Sequence, residues 1–518
     1  MAELTIPSVM PPQGWKAGMK LRGNNQSIGA KGVNSLSSAL MFMAFPPGQP
    51  ILRFSPKTYD LQDQISQDPE LYAHILLALS ELEVSHREDL QATPIATAYV
   101  GYIKTLLVVG NALWRHIELN KPSYHRPDCY VVRRGEGGEP LVTVLKRELT
   151  LDTLSADHQE QAREALVWAK SDLVKKRPWE CTVDVYDTMR LHTDESGEQT
   201  WCYWQELCNG EMLNGTNVET DEDNPPLWPG WLIPNYGSNW GGSYCGEYVG
   251  DHFTVEARSS GLNDIVALAA LALTFVKPGG TSIKQVREAR NLAILPGKAD
   301  DITVFRSEKT QDGSFVSSSI ADVERRLEAA YLMQESIQRN AERVTAEEIQ
   351  RLGSALDKAM GGLYTFIAQG HQRVIITRAV HLNEEANPKM PKLPSNVVAY
   401  KVITGVDAMG QNADATNLMQ YAQAGRTAFP TTFETSHNPN DFFTRLAAAM
   451  GVKPDGLVLT QQQIAANQQQ QQQQGAQQTL LDKGAGPLAK ALGDQMSQQQ
   501  QQGQGGQPGD QPAGAPPQ

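Results

Sequence analysis

Residues 338–349 read Gln338-Arg339-Asn340-Ala341-Glu342-Arg343-Val344-Thr345-Ala346-Glu347-Glu348-Ile349. How this stretch is read decides the fold. Its first half is polar and without apolar periodicity. Its second half is a helix start. The Thr345 hydroxyl is placed to accept from the third helical amide while Glu348 reaches back to the cap amide, a capping box. A polar connector therefore feeds a new helix, predicted over 346–382, about 55 Å long at 1.5 Å per residue, with Gly361-Gly362 as its kink point. On the other side, 320–338 is charge-rich with helical spacing. Before it, 273–319 mixes short strands with turns at Pro278–Gly280 and Gln311–Gly313 and one short helix over 283–290. Residues 243–272 lack proline and end in an Ala/Leu-rich run. They predict one long helix despite Gly261, which costs about 1 kcal/mol against alanine.

Further out, the N-terminal part predicts helices over 34–44, 70–87 and 97–114 from apolar spacing. Prolines 46, 47 and 50 end the first sharply. Two β-branched runs around Gly135–Gly138 predict a hairpin. A helix over 157–176 follows, then strands over 182–189 and 200–207 joined by a connector at 192–199. Residues 209–239, rich in Asn, Gly, Pro and Trp, read as an irregular surface loop. Short helices are predicted over 412–424 and 440–450. Beyond residue 460 the chain turns to Gln, Gly and Pro, with an unbroken glutamine run from Gln468 to Gln474. Such a composition buries too little apolar surface to offset chain entropy and predicts disorder. The fold class expected is α+β, predominantly helical.

Composition narrows the function. Lys plus Arg is 45 against 58 for Asp plus Glu, a net charge of −13 over 518 residues. That argues against a protein that coats DNA, which needs a basic surface to release counterions. It is compatible with a protein past which DNA slides. Five cysteines are too few for a disulfide scaffold and point to a reducing compartment. The first residues lack the basic and apolar regions of a signal peptide. The longest apolar stretch, 265–276, is too short to span a membrane.

No phosphate loop is found: Gly23–Lys31 lacks the terminal Gly-Lys-Ser/Thr. Neither His-Glu-x-x-His nor Gly-x-Ser-x-Gly occurs. Cys202 and Cys208 have no second pair to complete a zinc site and read as ordinary thiols. Asp221-Glu222-Asp223 and Asp300-Asp301 either hold a divalent cation or are solvated acids. His371 and His381 are ligands or, as is ordinary on a helix, surface or packing residues. Trp201, Trp204, Trp228, Trp231 and Trp240 either stack bases or pack a loop-rich β-region. Lys284, Arg287 and Arg290, spaced by three, share a helix face that either meets an anionic partner or is solvated. Arg339 and Arg343 flank the polar connector, as surface residues or as a contact for something anionic.

The run from Ala341 to Ile349, followed by Gly361-Gly362-Leu363-Tyr364, resembles the portal, or head-to-tail connector, proteins of short-tailed phages. Thr5-Ile6-Pro7-Ser8, the segment from Gly29 to Leu36, Leu107–Ala112, Ser243-Tyr244 and Glu247–Asp251 are similar to further segments of that family. The likeness runs from about Thr5 to Leu459 and leaves out the glutamine-rich tail. Two departures stand out. The chain begins later than its relatives, and 259–273 is more apolar than a stem facing DNA is expected to be.

The resemblance implies a ring of about twelve copies around a DNA channel. Its parts would be a wing (1–242), a first stem helix (243–272), a clip (273–319), a second stem helix (320–337), a channel loop (338–345), a long kinked helix (346–382), a helical crown (383–460) and a disordered tail (461–518). It implies a virion protein, made in the host cytoplasm, at one capsid vertex, for packaging and ejecting double-stranded DNA. Implied partners are the terminase large subunit, major capsid and scaffolding proteins, a tail adaptor and internal core proteins. No enzyme activity, cofactor, metal or membrane is expected. Arg339 and Arg343 would form the channel-loop collar, and Lys284, Arg287 and Arg290 the clip's partner surface. Two other readings stay open: a nuclease or ATPase subunit of a packaging machine, with Asp300 and Asp301 as metal ligands, and another ring-forming virion adaptor.

Overall fold

The computed structural model describes residues 1–16, 18–45, 51–56, 69–270, 273–277, 283–288, 298, 302–305, 310–333, 358, 362–388, 400–403, 411–429 and 439–450. The first helix, α1 (Ile28–Ala44), buries Val33, Leu36, Leu40 and Met43, one stripe at helical spacing. A short strand, β1 (Arg53–Pro56), precedes α2 (Pro69–Ala92) and α3 (Ile95–Val109). Helix α3 is central: Ile95, Tyr99, Tyr102, Ile103 and Leu106 are all fully buried. Burying such side chains stabilises by about 1.5–3 kcal/mol each.

The helix expected over 97–114 stops early. Gly110 takes φ 85° and its amide donates to the Leu106 carbonyl at 2.8 Å, a left-handed cap. Its backbone lies directly against Gly242, where a side chain would collide. Asn111–Arg115 is instead a strand, β2. It pairs on one side with β3 (Ser123–His125).

The expected hairpin is present as β4 (Tyr130–Arg134) and β5 (Pro140–Thr150), closed by a Gly135 amide to Glu139 carbonyl bond of 2.9 Å. Helix α4 (Ala156–Trp168) is capped by Ser155, which accepts from the His158 amide. It ends before the expected 176, with Lys170 left-handed at φ 51°. Strands β6 (Thr182–Thr193), β7 (Gln199–Leu207) and β8 (Val218–Asp221) complete an antiparallel sheet in the order β4-β5-β6-β7-β8. The connector expected at 192–199 shrinks to a turn because Asp194 accepts from the Ser196 and Glu198 amides. The loop reading of 209–239 is overturned. It contains β8 and β9 (Leu227–Trp231), and β9 is buried beside β2 in the sheet β3-β2-β9. Pro229 and Gly230 hid that strand from a propensity reading.

Asp187 of β6 is fully buried and joins the two sheets, meeting Arg115 of β2 and Arg147 of β5 at 2.6 Å each. The predicted packing role of the tryptophans holds where they can be traced. Trp201 and Trp231 are buried, and Arg134 stacks 4.0 Å over Trp231.

The region 243–272 is helical in two pieces, α5 (Tyr244–Glu247) and α6 (Val249–Ala270), and Gly261 does not interrupt the second. Then come β10 (Leu273–Val276), α7 (Ile283–Glu288), β11 (Ile302–Phe305) and α8 (Thr310–Ala330). Helix α8 starts ten residues before the expected 320, so the turn predicted at Gln311–Gly313 lies inside it. It also stops short of 337. Past it come α9 (Leu363–Phe366), a wider π segment over Ile367–Gln372, and α10 (Arg373–Ala386). Gly362 takes φ 86° just before α9, and of the expected helix ahead of it only Lys358 lies among the described residues, where it is helical. Strand β12 (Tyr400–Ile403) pairs antiparallel with β1, and α11 (Gln411–Ala428) and α12 (Pro439–Met450) follow, α12 packing on α2. One core unites α1, α2, α3 and α10 with the bases of α6 and α8.

Candidate functional site

Of the expected site residues, Lys284 and Arg287 lie among the described residues, on a short helix between the strands that follow α6 and precede α8. Helices α6 and α8 run antiparallel. Arg326 of α8 meets Asp251 of α6 at 2.7 Å, and Arg258 of α6 donates to the Ser319 carbonyl at 3.2 Å. Val255, Ile320, Val323 and Leu327 are buried. At the far end, β10 and β11 pair with Leu273 opposite Phe305 and Val276 opposite Ile302. Between them the chain forms α7. Lys284 and Arg287 lie on it, one turn apart and exposed, with Glu288 exposed beside them. Arg290 lies outside the described residues, as do Asp300 and Asp301. The pair leaves large apolar groups in solvent: Phe253 is 65% exposed, Val266 59% and Phe315 75%.

At the near end α8 stops in a left-handed turn. Leu332 takes φ 54°, and the Met333 amide donates to the Glu328 carbonyl at 2.9 Å. This is a Schellman closure built on a leucine where glycine is usual. The residue before it, Tyr331, is buried and forms a latch. Its hydroxyl lies 2.7 Å from His252 Nε2, Tyr244 donates to the Ala330 carbonyl at 2.8 Å, and the Tyr244 and Tyr331 rings meet edge to face. Gly32 of α1 makes room, since a Cβ there would stand 2.6 Å from the Tyr331 ring. Burial lowers His252 to about 4, so the ring is neutral, and its Nδ1 has no hydrogen-bond partner among the described residues.

The connector with Arg339 and Arg343 lies outside the described residues. Where the chain returns, a second histidine–tyrosine pair holds it. His371 sits in the π segment, a widening that re-aims side chains and is frequent at functional sites. Its Nδ1 lies 2.8 Å from Tyr102 Oη and 3.3 Å from Trp228 Nε1, and its Nε2 lies 2.9 Å from the Trp231 carbonyl. An indole nitrogen can only donate. Nδ1 is therefore the acceptor, and Nε2 carries the proton. Burial pushes this ring down to about 4. Gly230 lies against Tyr102 and His371, and a Cβ there would come within 2.6 Å of the imidazole.

The other candidates resolve simply. His371 packs, as expected. His381 lies 3.9 Å from Glu384 one turn on. Asp221, Glu222 and Asp223 are exposed. The five cysteines are unpaired, and no group of metal-ligating side chains forms among the described residues. Sequence reading missed His252 and Tyr331. Neither has a local signature, because the partners are 79 residues apart.

Residues 11–458 match the family model of bacteriophage head to tail connecting proteins. The portal protein of Enterobacteria phage T3 is 27% identical over 467 residues, covering 89% of this chain and 84% of the relative. The portal protein of Escherichia phage T7 is 27% identical over 506 residues, covering 96% of this chain and 90% of the relative. Among solved structures, a neck of an empty GTA particle aligns at 12% identity over 78% of this chain and 87% of that chain. Its TM-score of 0.33 carries no architectural argument. With the family match spanning nearly the whole length, the chain belongs to the bacteriophage head to tail connecting proteins.

Proposed function

We propose that this connector works as a closed ring of about twelve copies at one capsid vertex, since heterologous contacts that close by rotation give rings. Double-stranded DNA passes through the ring during packaging and again at ejection. The observation that carries this reading is the helix pair with its small tip. Phe253, Phe315 and Val266 stand in solvent on a single chain, and a neighbouring copy would cover them.

In this reading 1–242 is the wing, which meets the major capsid and scaffolding proteins and any internal core proteins. Helices α6 and α8 are the stem, and the clip is the part of the expected 273–319 that precedes α8, 273–309. Lys284, Arg287 and Arg290 face the terminase large subunit and later the tail adaptor. Rim charges of this kind mainly steer encounter and set salt sensitivity. The connector at 338–345 is the channel loop, and Arg339 and Arg343, repeated by symmetry, form a collar that contacts passing phosphates. Residues 346–382 run from channel to wing, 383–460 form the crown, and 461–518 are dispensable for assembly. The assembled protein resides in the virion after synthesis in the host cytoplasm. The family is one of structural connectors, so a nuclease centred on Asp300 and Asp301 has no support.

Negative-stain imaging and sedimentation test the reading. Rings with a central hole are expected, and a monodisperse monomer at micromolar concentration across salt conditions would overturn it. Replacing Arg339 and Arg343 by alanine should leave rings intact and lower retention of packaged DNA. Normal retention would remove both arginines from the gate.

A further inference from the structure

A cavity of about 440 Å³ opens between the N-terminal segment, α1, α3 and β3, away from the helix pair. Two of the segments that carry the family likeness wall it, Thr5–Ser8 and Gly29–Leu36. The wall is built rather than incidental. Gln26 Nε2 donates to the Leu4 carbonyl at 2.6 Å while its Oε1 accepts from the Gly29 amide at 3.0 Å, which holds the N-terminal segment on α1. Gly29 leaves room for this, because a Cβ there would stand 2.7 Å from the Leu4 carbonyl oxygen. On the opposite wall the Tyr124 ring rests directly on the backbone of Gly101, where no side chain would fit.

The lining has a definite chemistry. Lys104 and Arg126 bring two cations, and no carboxylate lines the cavity. Arg126 is engaged by Asp128 at 3.1 Å. Lys104 has no ion-pair partner among the described residues, in a chain with thirteen surplus negative charges. Ser8, Asn34 and Tyr124 add polar groups, and Ile6, Val9 and Ala30 supply an apolar floor. A lone cation over an apolar floor suits a carboxylate carried on a hydrocarbon stem. It suits a phosphodiester backbone less, since that is held by several solvated cations.

We propose that this cavity receives an aspartate or glutamate side chain from a second copy of the chain, which pairs with Lys104 while its methylene stem lies on Ile6 and Val9. The occupant follows from charge: this protein has 58 acidic against 45 basic residues, including exposed acids at Asp194, Glu195 and Asp221–Asp223. The inference rests on the ring reading above and names one of its contacts.

Carbodiimide crosslinking of assembled rings tests it, because the reagent joins a lysine amine to a carboxylate only in salt-bridge contact. Rings are assembled from a mixture of ¹⁴N- and ¹⁵N-labelled protein and digested for mass spectrometry. Lys104 should appear joined to an acidic residue in mixed-isotope pairs. Lys104→Arg should keep rings while losing that crosslink. Lys104→Glu should raise the protein concentration needed for half-assembly about tenfold. Rings that form normally with Lys104 uncrosslinked, or crosslinked only within one copy, overturn the inference and leave the ring reading standing. Failure of the unaltered protein to form rings overturns both.

Discussion

The two histidine–tyrosine pairs on either side of residues 334–361 use the same side chains and differ in enclosure. His371 is locked by three partners, with Tyr102 and Trp228 on one nitrogen and the Trp231 carbonyl on the other. Among the described residues His252 has one, the Tyr331 hydroxyl, and its Nδ1 has none. The return point of the connector is thus held at the full depth of the core, and the exit point by a lighter latch against a left-handed leucine.

The comparison breaks most visibly at the glycines that make room for each pair. Gly230→Ala forces a methyl group into Tyr102 and His371 and should cost about 3 kcal/mol or more, read as a fall in the urea midpoint. Gly32→Ala presses on the one ring of Tyr331, without a histidine in its path, and should cost about 1–2 kcal/mol. Equal losses would show that the two anchors are equally enclosed.

Acid gives the next largest effect. His371 has a folded pKa of about 4 against an ordinary 6.5, so the unfolded chain binds the proton more readily. Its contribution is fully present above pH 6.5 and is lost as pH falls toward 4. That amounts to about 3 kcal/mol once pH drops below the folded value. Protonation would also aim an N–H from Nδ1 at the Trp228 N–H and add charge near Arg134. His116, His125 and His252 are lowered to about 4 as well, chiefly by burial, and add to the same slope. Urea midpoints should hold from pH 7.5 to about 6.5 and fall from there to 4.5, and His371→Gln should flatten the fall. A slope unchanged by that substitution would mean the lock does not titrate in this window.

Removing one hydroxyl sharpens the contrast further. Tyr102→Phe takes an acceptor's partner from an enclosed ring and should cost about 1–2 kcal/mol, whereas Tyr331→Phe should cost about 1 kcal/mol or less. Thermal unfolding of both variants gives the difference directly.

The smallest effects concern the two left-handed caps. Lys170 is exposed at φ 51° and Leu332 packs on the core at φ 54°. Lys170→Gly should gain up to about 1 kcal/mol by relieving the backbone. Leu332→Gly should be near neutral, because the relief is offset by lost apolar contact. A clear gain at both positions would show that Leu332 contributes nothing to the latch.

Much of the order of elements was legible in the residues. The hairpin at Gly135–Gly138, the long helices of the pair and the strand–helix–strand tip all carry local patterns, and the capping-box segment carries the family likeness. The errors share a cause. Leu113 and Trp114 continue a helical pattern, and only the approach of Gly242 to Gly110 makes the chain turn into β2. Trp228-Pro229-Gly230 has poor strand propensity, yet β9 forms because β2 offers its edge. Gly313 looks like a turn and lies within α8 because the facing helix α6 supports that turn of backbone.

Periodicity, caps and charge act over a few residues, so the chain by itself determined its helices, its hairpin and its acidic character. Contacts between residues 79 or 269 apart leave no local trace, so only tertiary structure decided which histidines became anchors and where Lys104 found a cavity. The physical reason is range. A turn of helix is stabilised by its own neighbours, whereas burial, tautomer and enclosure are properties of what the rest of the fold brings alongside.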